Sequence, residues 1–195
     1  MTAKRINRED ILGLEEYRSL RAEMRAEIVE VKRDRRVPIG PDATFYFESY
    51  QTMWWQIHEM LFIEKGGEEQ ISDELTAYNP LVPQGRELVA TLMFEVDDPG
   101  RRKLLLSELG GVEETCVLAI ADQEIFAEAE DDVDRTTSDG KASSVQFIHF
   151  PLTDAQAAAF KREGAQITLG IKHPNYGHMA TLPERVRIAL AADLD

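Results

Sequence analysis

The chain has 195 residues, 43% of them hydrophobic, and a formal net charge of −14. That is enough apolar material for a proper core, and no run approaches the roughly eighteen apolar residues of a membrane span. A body this acidic repels phosphate backbones, which excludes nucleic acid as a partner.

The opening residues MTAKRINRED have no apolar stretch behind their basic groups, as a secretory signal would. Cys116 is the single cysteine, so no internal disulfide can form, and the expected compartment is the cytoplasm. The charge is uneven. Residues 1–36 hold ten Lys/Arg against eight Asp/Glu, and the remainder is strongly acidic. The basic cluster Lys32, Arg33, Arg35 and Arg36 reads as a helix end complementing the helix dipole, or as a contact for an acidic partner.

Asn7, Glu9 and Asp10 mark a helix start. Leu14, Tyr17, Leu20, Met24, Ile28 and Val31 then recur at spacings of three and four, which predicts an amphipathic helix to about residue 35, bent near Gly13. The Pro38 and Gly40-Pro41 pair stops it. Alternation over 44–48 predicts a short strand pairing back on 37–39. Residues 50–65 form a second helix, apolar nearly all round and ended by Gly66-Gly67. A third covers 68–78, and a rigid loop rich in Pro and Gly follows at 79–85.

Beyond it, 87–96 reads as a strand and 100–109 as a short helix. Residues 115–121 and 124–129 form a hairpin turning near Asp122. The acidic stretch 130–140 reads as a mobile loop. Residues 144–150 are a strand, Thr153 with Gln156 opens a helix to 161 by a capping box, and 166–172 are a strand. Thr181 with Glu184 has the same spacing and opens a last helix to about 194. The expected class is α+β in a single domain spanning 1–195. A mainly helical part, 1–85, packs on an antiparallel sheet of about five strands with short helices, 86–195.

The 50–65 helix is the first place to look for a site, because His58, Glu59 and Glu64 sit among its apolar residues. Buried acids are paired or functional. At roughly 100° per residue, Glu64 falls within about 20° of Met53, on the Met53/Ile57/Leu61 stripe. Glu59 lies between Phe62 and Ile63, and His58 between Trp54 and Phe62. Arg21 projects from the apolar face of the first helix, so a buried Arg21–Glu64 pair is the expected structural explanation, with ligand binding at Glu64, Glu59 and Arg21 as the functional one. His58-Glu59 lacks the second histidine of a helical zinc motif, since position 62 is Phe.

The second cluster, HPNYGH at 173–178, follows a strand. His173 and His178 in an irregular loop could converge with His58 or a carboxylate on a divalent metal, with Tyr176 as a ligand-binding group beside them, although such a site needs three or four ligands. His149 shares a strand face with Val145 and Phe147 and reads as a sheet-face histidine. Cys116 reads as a small buried hydrophobe. The chain has no G-x-G-x-x-G, P-loop, paired C-x-x-C or G-x-S-x-G.

Six blocks carry a resemblance to a known family: REDILGLEEYRSLR (8–21), RRVPIGPDATFYFE (35–48), QIHEMLFIEK (56–65), ELTAYNPLVPQG (74–85), SSVQFIHF (143–150) and HPNY (173–176). In order and spacing they resemble the bacterial domain-of-unknown-function family numbered 3501, over nearly the whole chain. The resemblance implies no established activity and no catalytic residue. It implies a redox or oxidative-stress setting, beside rubrerythrin-like di-iron proteins and iron–sulfur oxidoreductases, by association only. The expected function is therefore a non-enzymatic accessory or binding protein. The alternatives are a metal-dependent enzyme or metal sensor using His and Glu ligands, and a homodimer joined through the apolar 54–63 helix.

Overall fold

The computed structural model describes residues 4–130 and 140–195; residues 131–139, in the stretch expected as a mobile loop, lie outside the described residues. A short 3-10 turn at Arg8–Asp10 precedes α1, Leu14–Arg33, so the bend expected near Gly13 is a break between two helical pieces. The chain then forms β1, Arg36–Ile39, and β2, Ala43–Phe47, paired antiparallel as expected.

Helix α2, Tyr50–Glu64, starts on Ser49, whose hydroxyl accepts from the Thr52 amide. It ends at Lys65 in a left-handed conformation, φ 57°, one residue before the expected glycines. Helix α3, Gly67–Tyr78, follows. Helices α1 and α2 run antiparallel: Tyr17 meets Phe62, Arg21 meets Glu59, and Ile28 packs with Trp55.

The second half contains β3 (Glu87–Phe94), α4 (Pro99–Ser107), β4 (Cys116–Ile120), β5 (Gln123–Phe126), β6 (Glu128–Ala129), β7 (Val145–Pro151), α5 (Asp154–Lys161), β8 (Ile167–His173), β9 (Tyr176–Thr181) and α6 (Glu184–Ala191). The class is α+β. The single expected sheet is two antiparallel sheets among the described residues, ordered β1-β2-β3-β7-β6 and β5-β4-β8-β9. Residues 173–178 are the tip of the β8–β9 hairpin, with His173 paired to Tyr176 and Ile171 to His178. That hairpin carries the strand on to Thr181, so the last helix is capped at Pro183 and the Thr181–Glu184 capping box is not made. The box at Thr153 and Gln156 is made.

The core follows from period-two alternation. Phe45, Phe47, Leu88, Leu92, Ile148 and Phe150 point from the larger sheet toward Leu118, Ile120, Leu169 and Ile171 of the smaller one, with Phe160 of α5 and Leu190 of α6 joining them. The opposite face of the larger sheet meets the helices: Val89 packs with Met53 and Ile57 of α2, Ile71 of α3, and Leu81. Helix α2 is thus covered on two sides, by the sheet and by α1. This explains its all-round apolar character, and Ile63 is its one large hydrophobic counted among the exposed. Among the described residues no helix is long and apolar enough to cross a membrane.

Candidate ligand-binding site

The outward residues of three neighbouring strands, Tyr46, Thr91, Met93, Val145 and Phe147, form the floor of a cavity of about 430 Å³. Its walls are the last turn of α1, the first two turns of α2 and the end of α3, contributing Lys32, Thr52, Met53, Gln56 and Tyr78. The volume lies in the range of small-molecule sites.

Glu48 is the acid of this lining. It is the residue between β2 and the α2 N-cap, and its amide still bonds to Val89 O of β3 at 2.8 Å. Only 9% of it is exposed. The Thr52 hydroxyl donates to its Oε2 at 2.6 Å and the Thr91 hydroxyl to its Oε1 at 2.8 Å. The α2 N-terminus, one residue on, adds a favourable dipole. These groups satisfy the polar oxygens of a buried side chain, which would be costly to leave unbonded. Glu48 forms no salt bridge among the described residues.

Lys32 lines the same cavity. Burial pushes its ammonium below the ordinary lysine range, and the field of Glu48 opposes that. Its ammonium makes no hydrogen bond or salt bridge among the described residues. Arg36 lies exposed at the rim, its guanidinium 5.1 Å from the Tyr46 ring centroid. Arg35 lines the same cavity but is occupied: it holds Asp193 at 2.8 and 2.9 Å and donates to the carbonyls of Glu48 and Ala189.

Of the residues singled out in the sequence, Lys32, Arg35 and Arg36 of the basic cluster line this cavity, and the candidate site residues lie elsewhere. Arg21 pairs with Glu59, not with Glu64, through Nε at 2.7 Å and Nη2 at 2.9 Å. The expected partner was wrong because α2 has two apolar faces. The Met53/Ile57 stripe carrying Glu64 faces the sheet, whereas Trp55, His58, Glu59 and Phe62 face α1. Glu64, the last residue of the helix, is exposed and accepts from Gln70.

His58 is buried with both ring nitrogens engaged: Nδ1 on Trp54 O at 2.7 Å, and Nε2 accepting from the Leu12 amide at 3.0 Å. Accepting at Nε2 requires the neutral tautomer protonated at Nδ1. Burial accordingly pushes its pKa down, the Trp54 carbonyl opposing.

His173 Nε2 lies 3.3 Å from Gly110 O, and its Nδ1 accepts from the Asn175 amide. His178 packs its ring on Tyr176, centroids 4.7 Å apart. The Tyr176 hydroxyl is buried, donating to Ile39 O and accepting from Asp42 N–H, which ties the β8–β9 hairpin to the β1–β2 turn. Among the described residues no three His, Cys, Asp or Glu side chains gather to hold a metal ion. Cys116 is fully buried, and burial pushes its thiol well up.

A smaller cavity, about 270 Å³, lies beside His58 and Tyr17. Several of its polar groups are engaged: the Tyr17 hydroxyl donates to Glu59 at 2.6 Å, and Arg8 pairs with Glu68. The larger cavity combines a buried carboxylate with two cations that bond to no described residue. Sequence reasoning missed Glu48, Thr52 and Thr91. One signal was present, since alternation over 44–48 places Glu48 on the same strand face as Tyr46, directly ahead of a helix start.

The class defined by this fold and cavity is an α+β protein with a helical layer over one of two antiparallel sheets. The chain belongs to the family described as protein of unknown function (DUF3501), whose model matches residues 5–194. It is similar to a protein of unknown function from Burkholderia pseudomallei K96243 with a crystal structure: 38% identity, a TM-score of 0.90, and a match covering 97% of this chain and 99% of that one. No curated protein matches the chain.

Proposed function

We propose that this is a non-enzymatic binding protein that holds a small organic ligand between α1–α3 and the outer face of the β2–β3–β7 strands. The redox setting implied by the family resemblance makes it an accessory to oxidoreductases. One observation carries the binding role: a cavity of about 430 Å³ with the buried Glu48 carboxylate in its lining and apolar surface from Met53, Met93 and Phe147. A few placed polar groups in a mostly apolar concavity is the usual construction of a small-molecule site. The residues with strong hydrogen bonds elsewhere, Arg21, Glu59, His58 and Tyr176, bond to one another or to backbone and so act in architecture.

Native mass spectrometry of untagged protein tests the binding role. The expected result is a small-molecule adduct that is lost in Gln56→Trp, which fills the cavity from a half-buried helix position. An adduct unaffected by Gln56→Trp places the ligand elsewhere and overturns the reading. The accessory role is tested by pull-down under reducing and oxidising conditions; failure to recover any oxidoreductase counts against it.

A further inference from the structure

We infer that the ligand of this cavity is an organic monocarboxylate with an apolar body. This deepens the binding reading and rests on it.

Three basic side chains line the cavity, but Arg35 is neutralised by its two bonds to Asp193. Lys32 and Arg36 remain, without a hydrogen bond or salt bridge to any described residue. Against these two cations stands one carboxylate, Glu48, whose oxygens each accept a threonine hydroxyl. The lining therefore carries one positive charge in excess, in a chain whose net charge is −14. A cationic cavity in so acidic a protein concentrates small anions locally.

The position of the charges sets the ligand's shape. Lys32 and Arg36 come from the end of α1 and the start of β1 and lie within each other's field, so the two together can receive one anionic head. An ammonium and a guanidinium both form charge-assisted bonds to a carboxylate. Met53, Met93 and Phe147 offer only apolar surface to the rest of the molecule. The Glu48 carboxylate of the same lining repels a second negative charge, so a dicarboxylate is disfavoured. An amine would be attracted by Glu48 but repelled by the two cations.

Isothermal titration of the untagged protein tests this with short aliphatic and aryl monocarboxylates, each paired with its amide, its amine and the dicarboxylate of equal length. At least one monocarboxylate should bind about tenfold or more tightly than its amide, as expected for losing a charge-assisted hydrogen bond. Lys32→Gln and Arg36→Gln should each weaken the acid and leave the amide unchanged. Glu48→Gln should restore binding of the dicarboxylate. If an amide or amine binds as tightly as its acid, the ligand class is wrong while the cavity stands. If no monocarboxylate binds, the class falls, and the cavity reading falls with it only if the adduct seen by native mass spectrometry also survives Gln56→Trp.

Discussion

Arg21 grips both carboxylate oxygens of Glu59, at 2.7 and 2.9 Å, and the Tyr17 hydroxyl donates to the same carboxylate at 2.6 Å. The guanidinium also lies 4.8 Å from the centroid of Phe62, so the α1–α2 seam is closed by a charged knot set among aromatic rings. Arg21 is the chief cause holding the Glu59 carboxyl below the usual glutamate range; burial opposes it and Tyr17 assists.

For an acid with a depressed folded pKa, the added stability is complete above the ordinary glutamate value and is lost as pH falls through the folded one. Glu59→Gln should therefore flatten part of the acid limb of a plot of Tm against pH, and acid denaturation followed by circular dichroism checks it. Tyr17→Phe removes one bond to a charged acceptor at a buried site and should cost about 1.5–3 kcal/mol in urea denaturation.

The Arg35–Asp193 pair joins the start of the larger sheet to the C-terminal helix, and both side chains are almost wholly buried. Burial raises the Asp193 pKa and Arg35 only partly offsets it. An acid with a raised folded pKa loses stability as pH rises from its ordinary value through the folded one. Asp193→Ala should cost about 3–5 kcal/mol, because it strands a buried guanidinium. The double variant Arg35→Met with Asp193→Leu should recover most of that loss. Chemical denaturation of the three proteins side by side provides the measurement; a double variant no better than Asp193→Ala would contradict it.

His149 lies between two carboxylates, Nδ1 at 2.8 Å from Glu87 and Nε2 at 3.3 Å from Glu130. Burial lowers its pKa, but the bonds to Glu87 and Glu130 outweigh burial and raise it above its ordinary value of 6.5. The stability from this imidazolium is complete below the ordinary value and disappears as pH rises through the raised one. Tm should fall across that alkaline window in the parent and less steeply in His149→Gln. An NMR titration giving His149 a pKa below that of an unperturbed imidazole would refute the assignment.

Gly40 has φ +66°, and a Cβ there would stand 2.6 Å from the His178 ring and 2.9 Å from the Tyr176 hydroxyl. Gly40→Ala should therefore lower Tm, both by backbone strain of about 1 kcal/mol or more and by displacing the Tyr176 strut. His178→Ala should relieve the steric part and leave the backbone part. Tyr176→Phe leaves the buried Asp42 amide without its acceptor and should cost about 1–3 kcal/mol, read by thermal denaturation.

Much of this architecture was legible in the chain. The three-and-four spacing from Leu14 marked α1, alternation over 44–48 marked β2, and Thr153 with Gln156 marked the start of α5. The α+β class follows, because local periodicity decides which residues share a face. Errors gathered where two local signals competed. At Thr181 a capping-box spacing suggested a helix start, but pairing with Thr168 kept the residue in β9. At 173–178 Pro and Gly suggested an irregular loop, and they instead form and follow a tight hairpin tip.

The sequence by itself determined the elements, the apolar faces and the unusual presence of His58 and Glu59 in a buried helix. Tertiary structure alone decided which face met which neighbour. Helix α2 has two apolar faces, and only packing could assign one to the sheet and the other to α1, so only packing could give Arg21 to Glu59 and leave Glu64 exposed. The cavity is a stronger case. Lys32, Glu48 and Thr91 are brought together by an antiparallel helix pair and a strand register, and neither is encoded in a local spacing. A carboxylate's environment is set by the groups that surround it in space, and for Glu48 those come from three separate segments of the chain.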